Sequence, residues 1–383
     1  MKFLKKILIG LLAIVGLLVA ALYLFDYDYL IKGVRTVYMN GHKTAFLDDY
    51  RYFDNRKLPK STNPQPWAIA TDYNKVAATP LLDEWHQKMQ TVAFVVIKND
   101  SIWNESYFDG YTKDSQSNSF SMAKSIVCAA LGKAIQQGHI RSLDQPVSDF
   151  YPQYAHAKDG LTVGDLASMA SGLDWDESYY SPFSITTRAY FDEDLDAVAL
   201  SMKSVEPSGK SYKYLSGNTQ LLAMCIQKAT RMELSKYVSE NFWQPLGAEN
   251  NALWQTDHPG GMVKAYCCIA SNARDFARFG KLFLQHGKWN GTQLLDSAFV
   301  AKSIVPRFAD SPQYGYGWWL AEREGKQIFY MRGHLGQYTI VIPEDNVIIV
   351  RLGHRMIRSD VGKPESQDFD VWVSETLKML HSR

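Results

Sequence analysis

Ser121-Met122-Ala123-Lys124 heads a run that continues Ser125-Ile126-Val127-Cys128-Ala129-Ala130-Leu131-Gly132-Lys133-Ala134-Ile135-Gln136-Gln137 and reads as one strong helix. An i, i+3 spacing at a helix start puts the Ser121 hydroxyl and the Lys124 amine on one face, within mutual reach. A Ser hydroxyl is a poor nucleophile until a neighbouring base removes its proton. Lys serves as that base only where burial or nearby positive charge lowers its pKa. The Ser121 N–H, at the helix N-terminus, is aimed at developing negative charge and suits one half of an oxyanion hole. Read alone, Ser-x-x-Lys is short, and an N-cap followed by a surface Lys is the plainer account of it. Its weight comes from what surrounds it.

Upstream, Leu81 to Met89 reads as a short helix. Thr91 to Lys98 is apolar and β-branched, Asn99-Asp100 turns, and Ser101 to Phe108 alternates, which together predict a hairpin. From Ser121 to about Phe299 the pattern is largely helical, with Ala270 to His286 a clear amphipathic helix. Strand periodicity then returns over Tyr314–Leu320, Gln327–Arg332, Tyr338–Ile342 and Val347–Leu352, and Ser366 to Leu380 closes as a helix. Strands at both ends and helices between predict an α/β chain of the α+β type. An antiparallel sheet flanked by helices carries an inserted all-helical lobe, roughly 122–300, and a cleft between sheet and lobe is the natural active-site position. Ser121 sits where sheet gives way to helices.

Residues Ile7 to Phe25 carry no charge, follow Lys2, Lys5 and Lys6, and precede Asp26 and Asp28. At helical rise this stretch covers about 28 Å, enough to span a hydrocarbon core. The basic side stays cytoplasmic. The expectation is a cytoplasmic tip 1–6, a transmembrane anchor 7–25 in the inner (cytoplasmic) membrane, crossed once, and a catalytic domain facing the periplasm or outside. A signal peptide cleaved near Val19-Ala20-Ala21 is the rival reading. Residues 26–80 are polar, aromatic and weakly periodic, with a loop at Asn63-Pro64-Gln65-Pro66. They read as a juxtamembrane extension that wraps onto the domain, 81–383.

The net charge of +1 over 383 residues gives no reason to expect a nucleic-acid partner. The 10 Trp and 22 Tyr suggest core and pocket lining. The four Cys (Cys128, Cys225, Cys267, Cys268) form no Cys-x-x-Cys, and there is no His-Glu-x-x-His, so neither a metal nor a cofactor is expected. Cys128 and Cys225 fall in apolar helical runs, and the sequence fixes no disulfide pairing.

Two later elements join Ser121 and Lys124. Gly209-Lys210-Ser211 tempts towards a phosphate loop, but the first required Gly position holds Ser204 and no strand precedes it. Tyr214 is better read as a phenol at a helix start, able to pass a proton to a leaving group; a packing role is the bland alternative. Gly333-His334-Leu335-Gly336-Gln337 interrupts two strands, either as a simple turn or as a site of close backbone approach where the Gln337 N–H is a second oxyanion donor.

In this order the elements resemble the penicillin-recognising serine hydrolase superfamily, which carries Ser-x-x-Lys, Tyr-x-Asn and then Lys-Thr-Gly or His-x-Gly. The resemblance runs from about Leu81 to Leu352 and includes Gly138–Pro152, Leu166–Gly172 and Pro245-Leu246-Gly247. It implies a β-lactamase/DD-peptidase-like fold with Ser121 as nucleophile, Lys124 as base, Tyr214 as proton shuttle and His334-Leu335-Gly336 as third motif. Within the superfamily the chain most resembles 6-aminohexanoate-dimer hydrolases, through Ser171-Gly172-Leu173-Asp174-Trp175-Asp176-Glu177, Trp243-Gln244-Pro245-Leu246-Gly247-Ala248-Glu249 and Gly336-Gln337-Tyr338. That family has Ser at the third place of the Tyr motif, as Ser216 is here, and a second Tyr contacting the substrate amide. Tyr179 is the best match and Tyr180 a close rival. The resemblance implies a small-molecule amide or ester substrate bound by Tyr179, Ser216, His334 and Gly336. A β-lactamase or DD-peptidase, and a non-catalytic binder on the same scaffold, are the alternatives. Ser216 is too short to replace the β-lactamase Asn, and His334 is at most partly charged where those enzymes place Lys.

Overall fold

Continuous burial along Thr91–Lys98 explains the centre of the fold: Phe94 and Val96 face one way, Val95 and Ile97 the other, and all are buried. A strand buried on both faces needs a layer on each. The computed structural model describes residues 2–157, 160–357 and 365–382. Met1 of the expected cytoplasmic tip, and 158–159, 358–364 and 383 of the expected domain, lie outside the described residues.

The strands, in chain order, are β1 (Asn55–Leu58), β2 (Ala68–Ile69), β3 (Thr91–Lys98), β4 (Ser101–Tyr107), β5 (Ser117–Asn118), β6 (Ala252–Gln255), β7 (Ile269–Ser271), β8 (Lys288–Trp289), β9 (Thr292–Gln293), β10 (Trp319–Arg323), β11 (Lys326–Gly333), β12 (Gln337–Ile342) and β13 (Val347–Gly353). The main sheet has the order β10-β11-β12-β13-β3-β4-β2 and is antiparallel except for the β2–β4 pair. Two distant segments therefore build one sheet, joined where Val95 pairs with Val350. Asn99 and Asp100 both adopt left-handed φ (48° and 62°), the turn geometry that matches the twist of a two-residue hairpin.

The helices are α1 (Lys2–Leu24), α2 (Tyr29–Thr36), α3 (Pro80–Lys88), α4 (Ala123–Gln136), α5 (Val163–Ala167), α6 (Ile185–Phe191), α7 (Leu195–Leu200), α8 (Ser216–Thr230), α9 (Leu234–Val238), α10 (Ala273–Leu284), α11 (Ser297–Ser303) and α12 (Gln367–His381). On one face of the sheet, Trp85 of α3 and Phe369 and Trp372 of α12 cover Phe94, Ile340 and Ile349. On the other, α10 and α4 cover Val95, Val341 and Val350. Each aliphatic side chain buried in this way contributes about 1.5–3 kcal/mol. α4 is buried on nearly every side, so it is a core helix, not a surface one.

The helical lobe is narrower than the expected 122–300. β6 and β7 fall inside that span and form a second sheet, β1-β6-β7-β5, with strands from outside it. At four and three residues they are too short for a period of two to register. α10 packs on the main sheet, with Gly280 against Thr339, Val341 and Ile348. The expected strand Tyr314–Leu320 begins only at Trp319. Gly315 and Gly317 bend the chain before it, and a Cβ on Gly317 (φ 77°) would fall 2.4 Å from Cys128 Cβ.

The extension contributes strands to the two larger sheets, through β1 on β6 and β2 on β4. α1 carries no buried residue and is long and apolar enough to cross a membrane. Asp26, just beyond α1, is ion-paired to Arg188 of α6, and the Tyr29 hydroxyl donates to the Pro182 carbonyl (3.0 Å).

Candidate active site

Ser121 stands in a single 3-10 turn, Phe120–Met122, that leads into α4. The residue before it, Phe120, is held at φ 45°, a left-handed conformation that costs a bulky side chain on the order of 1–2 kcal/mol. Asn118 fixes this bend: its Oδ1 accepts the Phe120 N–H (2.9 Å), and its Nδ2 donates to Asp49 Oδ1 (2.9 Å). Asp49 also accepts from the Tyr190 hydroxyl (2.7 Å) and from Gln255 Nε2 (3.0 Å). Full burial pushes its carboxyl up to about 6, against those hydrogen bonds. Asp49 belongs to the extension, so that segment braces the turn that presents Ser121.

Lys124 is buried, and its Nζ has three neighbours: Ser121 Oγ at 2.9 Å, Ser216 Oγ at 3.0 Å and the Tyr266 carbonyl at 2.8 Å. Burial lowers its pKa from 10.5 to about 8, and the Glu177 charge opposes that fall. The polarity of the network decides what the neutral amine does. The Tyr266 carbonyl can only accept. The Ser216 hydroxyl donates to Glu177 Oε1 (2.6 Å), so its oxygen accepts from Lys124. Both N–H groups of the neutral amine are then used, and its lone pair faces Ser121 Oγ. That arrangement can draw the Ser121 proton.

Glu177 gathers three donors: the Ser216 N–H (2.6 Å), the Ser216 hydroxyl and the Tyr179 hydroxyl (2.5 Å). The Tyr179 ring stacks on His334 (5.5 Å between centroids), and His334 meets Phe120 edge-on (5.4 Å). Tyr214 lies beneath Lys124, with Nζ 5.1 Å from its ring centre, and packs on Trp319. Burial, reinforced by the Glu177 charge, pushes its phenol well up, and a hydrogen bond with Ser121 opposes the rise. The phenol therefore stays protonated across the physiological range, as a proton donor must.

His334-Leu335-Gly336 forms the turn between β11 and β12, with Gly333 paired to Gln337. Leu335 and Gly336 both take left-handed φ (61° and 76°). The hairpin is pressed against the strand leading to Ser121: a Cβ on Gly333 would fall 2.1 Å from the Ser119 carbonyl oxygen. The Gln337 side chain is buried, donating to the His334 (3.1 Å) and Gly353 (2.7 Å) carbonyls, so only its main chain is left for the site. A Cβ on Gly336 would fall 2.7 Å from the Arg351 guanidinium.

Ser121, Tyr179, Tyr180, Ser216 and His334 all line one cavity of about 330 Å³. Tyr179 and Tyr180 both reach it, and the Tyr179 hydroxyl is tied to Glu177. Cys267, also on its wall, is disulfide-bonded to Cys268; Cys128 and Cys225 are free and buried. Sequence reasoning missed Glu177, Asn118 and the Tyr266 carbonyl. Glu177 shares its stretch with Asp174 and Asp176, so composition alone does not single it out. The Tyr266 contact is made by main chain, which no side-chain pattern reveals.

The curated 6-aminohexanoate-dimer hydrolase of Paenarthrobacter ureafaciens is 24% identical over 298 residues, covering 71% of this chain and 75% of its own. Among solved structures, a Bacillus anthracis protein carrying the provisional name 6-aminohexanoate-dimer hydrolase superposes with TM-score 0.70 at 20% identity, over 92% of this chain and 94% of that one. The octameric penicillin-binding protein homologue of Pyrococcus abyssi gives TM-score 0.60 at 18% identity, over 79% and 76%. At these identities the two superpositions speak for the fold. The sequence profile of the family described as Beta-lactamase matches residues 75–368, most of the chain and all of the site motifs, so this protein belongs to the Beta-lactamase family of serine hydrolases.

Proposed function

We propose that this protein is a membrane-anchored serine hydrolase that cleaves linear amides or esters through an acyl-enzyme on Ser121. The observation that carries the reading is the hydrogen-bond polarity around Lys124, which turns the lone pair of its neutral amine towards Ser121 Oγ. As Ser121 Oγ attacks the carbonyl carbon, Lys124 takes its proton. The N–H groups of Ser121 and Gln337 hold the oxyanion. Tyr214 delivers a proton to the departing amine or alcohol, and water then releases the acyl group. Tyr179, Ser216, His334 and the Gly336 main chain contact the substrate. The relative from Paenarthrobacter ureafaciens, named for hydrolysis of a 6-aminohexanoate dimer, supports the substrate class. Ser216 and His334, in place of the Asn and Lys of β-lactamases, weigh against a β-lactam or peptidoglycan substrate.

The anchor in this reading is α1, with Lys2, Lys5 and Lys6 on the cytoplasmic side and the domain outside.

The pH–rate profile tests the mechanism. Lys124 must be neutral to act, and its pKa is lowered to about 8. The expected kcat/KM for an ester or amide substrate therefore rises about tenfold per pH unit below that value and levels off above it. A profile flat from pH 6 to 9 contradicts Lys124 as the base.

A further inference from the structure

The catalytic mechanism uses one end of the 330 Å³ cavity and leaves the rest unexplained. From Ser121 and Ser216 the cavity runs between α6 and the extension, where Leu30, Val34 and Val37, of α2 and the residue after it, face Phe191, with Ala45 also on the wall. This wall is mainly apolar, with Lys43, Thr44, Thr186 and Thr187 among its polar members. A site for a short polar amide has no use for it.

Its position is equally specific. Only residues 25–28 separate the end of α1 from the start of α2, and the Asp26–Arg188 pair and the Tyr27–Phe183 ring contact tie that junction to the loop and helix flanking the cavity. Val34, Tyr38, Met39, Tyr180 and Phe183 are exposed around it, an apolar and aromatic rim of the kind that settles at a membrane–water interface. Tyr214, the donor to the leaving group, is not on the cavity wall, whereas Ser121, Ser216 and His334 are. The fragment that lies in the cavity is therefore the acyl side of the scissile bond.

We infer that the cavity is an acyl-chain site, and that the substrates are esters or amides of medium-chain carboxylic acids, entering from the membrane side of the domain. The inference rests on the proposed hydrolase activity and narrows its substrate class. At about 330 Å³ the cavity falls within the size range of small-molecule pockets and has room for an acyl chain.

The test uses the full chain in phosphatidylcholine nanodiscs, with p-nitrophenyl esters from acetate to dodecanoate and, separately, acetates of alcohols from ethanol to octanol. The expected kcat/KM rises about fourfold per acyl methylene, the equivalent of about 0.8 kcal/mol, up to eight to ten carbons. It stays level across the alcohol series. Ala45→Trp, and independently Val34→Trp from α2, should move the optimum to chains several carbons shorter. Because both variants sit in the same nanodiscs, partition into lipid cannot produce that shift. Acetate turnover with no dependence on acyl length, or an optimum that neither folded variant moves, overturns the acyl-chain site and leaves the hydrolase reading standing. If neither these esters nor the matching p-nitroanilide amides are turned over, the hydrolase reading fails instead, and calorimetric titration with butanoate and decanoate decides the cavity. Tighter decanoate binding that Ala45→Trp abolishes supports the site, and equal binding overturns it.

Discussion

Replacing Lys124 with methionine should lower kcat/KM by about a thousandfold or more, because a positioned general base typically contributes 10²–10⁴ and Lys124 is the amine hydrogen-bonded to Ser121 Oγ. The same change bears on stability with a definite sign. The Lys124 pKa falls from 10.5 to about 8 on folding, so between those values the unfolded chain binds more protons than the folded one. The parent protein therefore gains stability as pH rises from about 8 to 10.5, and below 8 carries the full cost of burying the amine, on the order of 3 kcal/mol at 1.36 kcal/mol per unit. The methionine variant lacks this dependence. Relative to the parent, its Tm should be higher at pH 7 than at pH 10. Against it stand the Ser216 and Tyr266 acceptors that lose a donor, each worth about 1–3 kcal/mol. Steady-state kinetics and melting curves at the two pH values check both halves. Retained turnover would remove Lys124 from the mechanism whatever the Tm does.

The second large effect concerns Glu177, the residue that sets which way the Ser216 hydroxyl points. Glu177→Gln keeps the shape and one acceptor but removes the charge. The carboxylate raises the Lys124 pKa, so without it that pKa falls below about 8. The pH–rate curve should then reach its plateau at lower pH than in the parent. The amide NH₂ can compete for the Ser216 oxygen, disturbing the Lys124 lone pair, so the plateau itself should drop by about ten- to a hundredfold. The two effects pull apart at low pH, where the variant loses least relative to the parent. An inflection that stays put or moves up would mean that Glu177 does not act on Lys124.

What the sequence disclosed and what it withheld follow from the range of the interactions involved. β3, β11, β12 and β13 carry apolar runs and β4 alternates, and the 6-aminohexanoate-dimer hydrolase resemblance rests on motifs that stay contiguous in the chain. The short strands β6 and β7 were hidden because their pairing with β1 and β5 is non-local and three or four residues do not display a period. The amphipathic pattern of α10 was visible, but a period of 3.6 tells which face is apolar and not which layer it covers. The extension carries β1, which pairs with β6, and β2, which pairs with β4. That Asp49 would brace Asn118 and Phe120 beside Ser121, and that α2 would wall the cavity, depends on contacts across 70 to 150 residues. Local spacing placed Ser121 by Lys124. It could not place Glu177 by Ser216, which requires knowing how the loop before α6 folds back onto the start of α8.

The central claim is that Ser121 is activated by Lys124, and covalent trapping tests it most directly. The full chain is exposed to a fluorophosphonate at pH 8.5, and adducts are located by intact mass and peptide mapping. The account predicts one adduct, on Ser121, formed at a rate that falls with pH below about 8 and absent from folded Lys124→Met. No adduct on the folded parent chain, or one that forms equally well without Lys124, would contradict it.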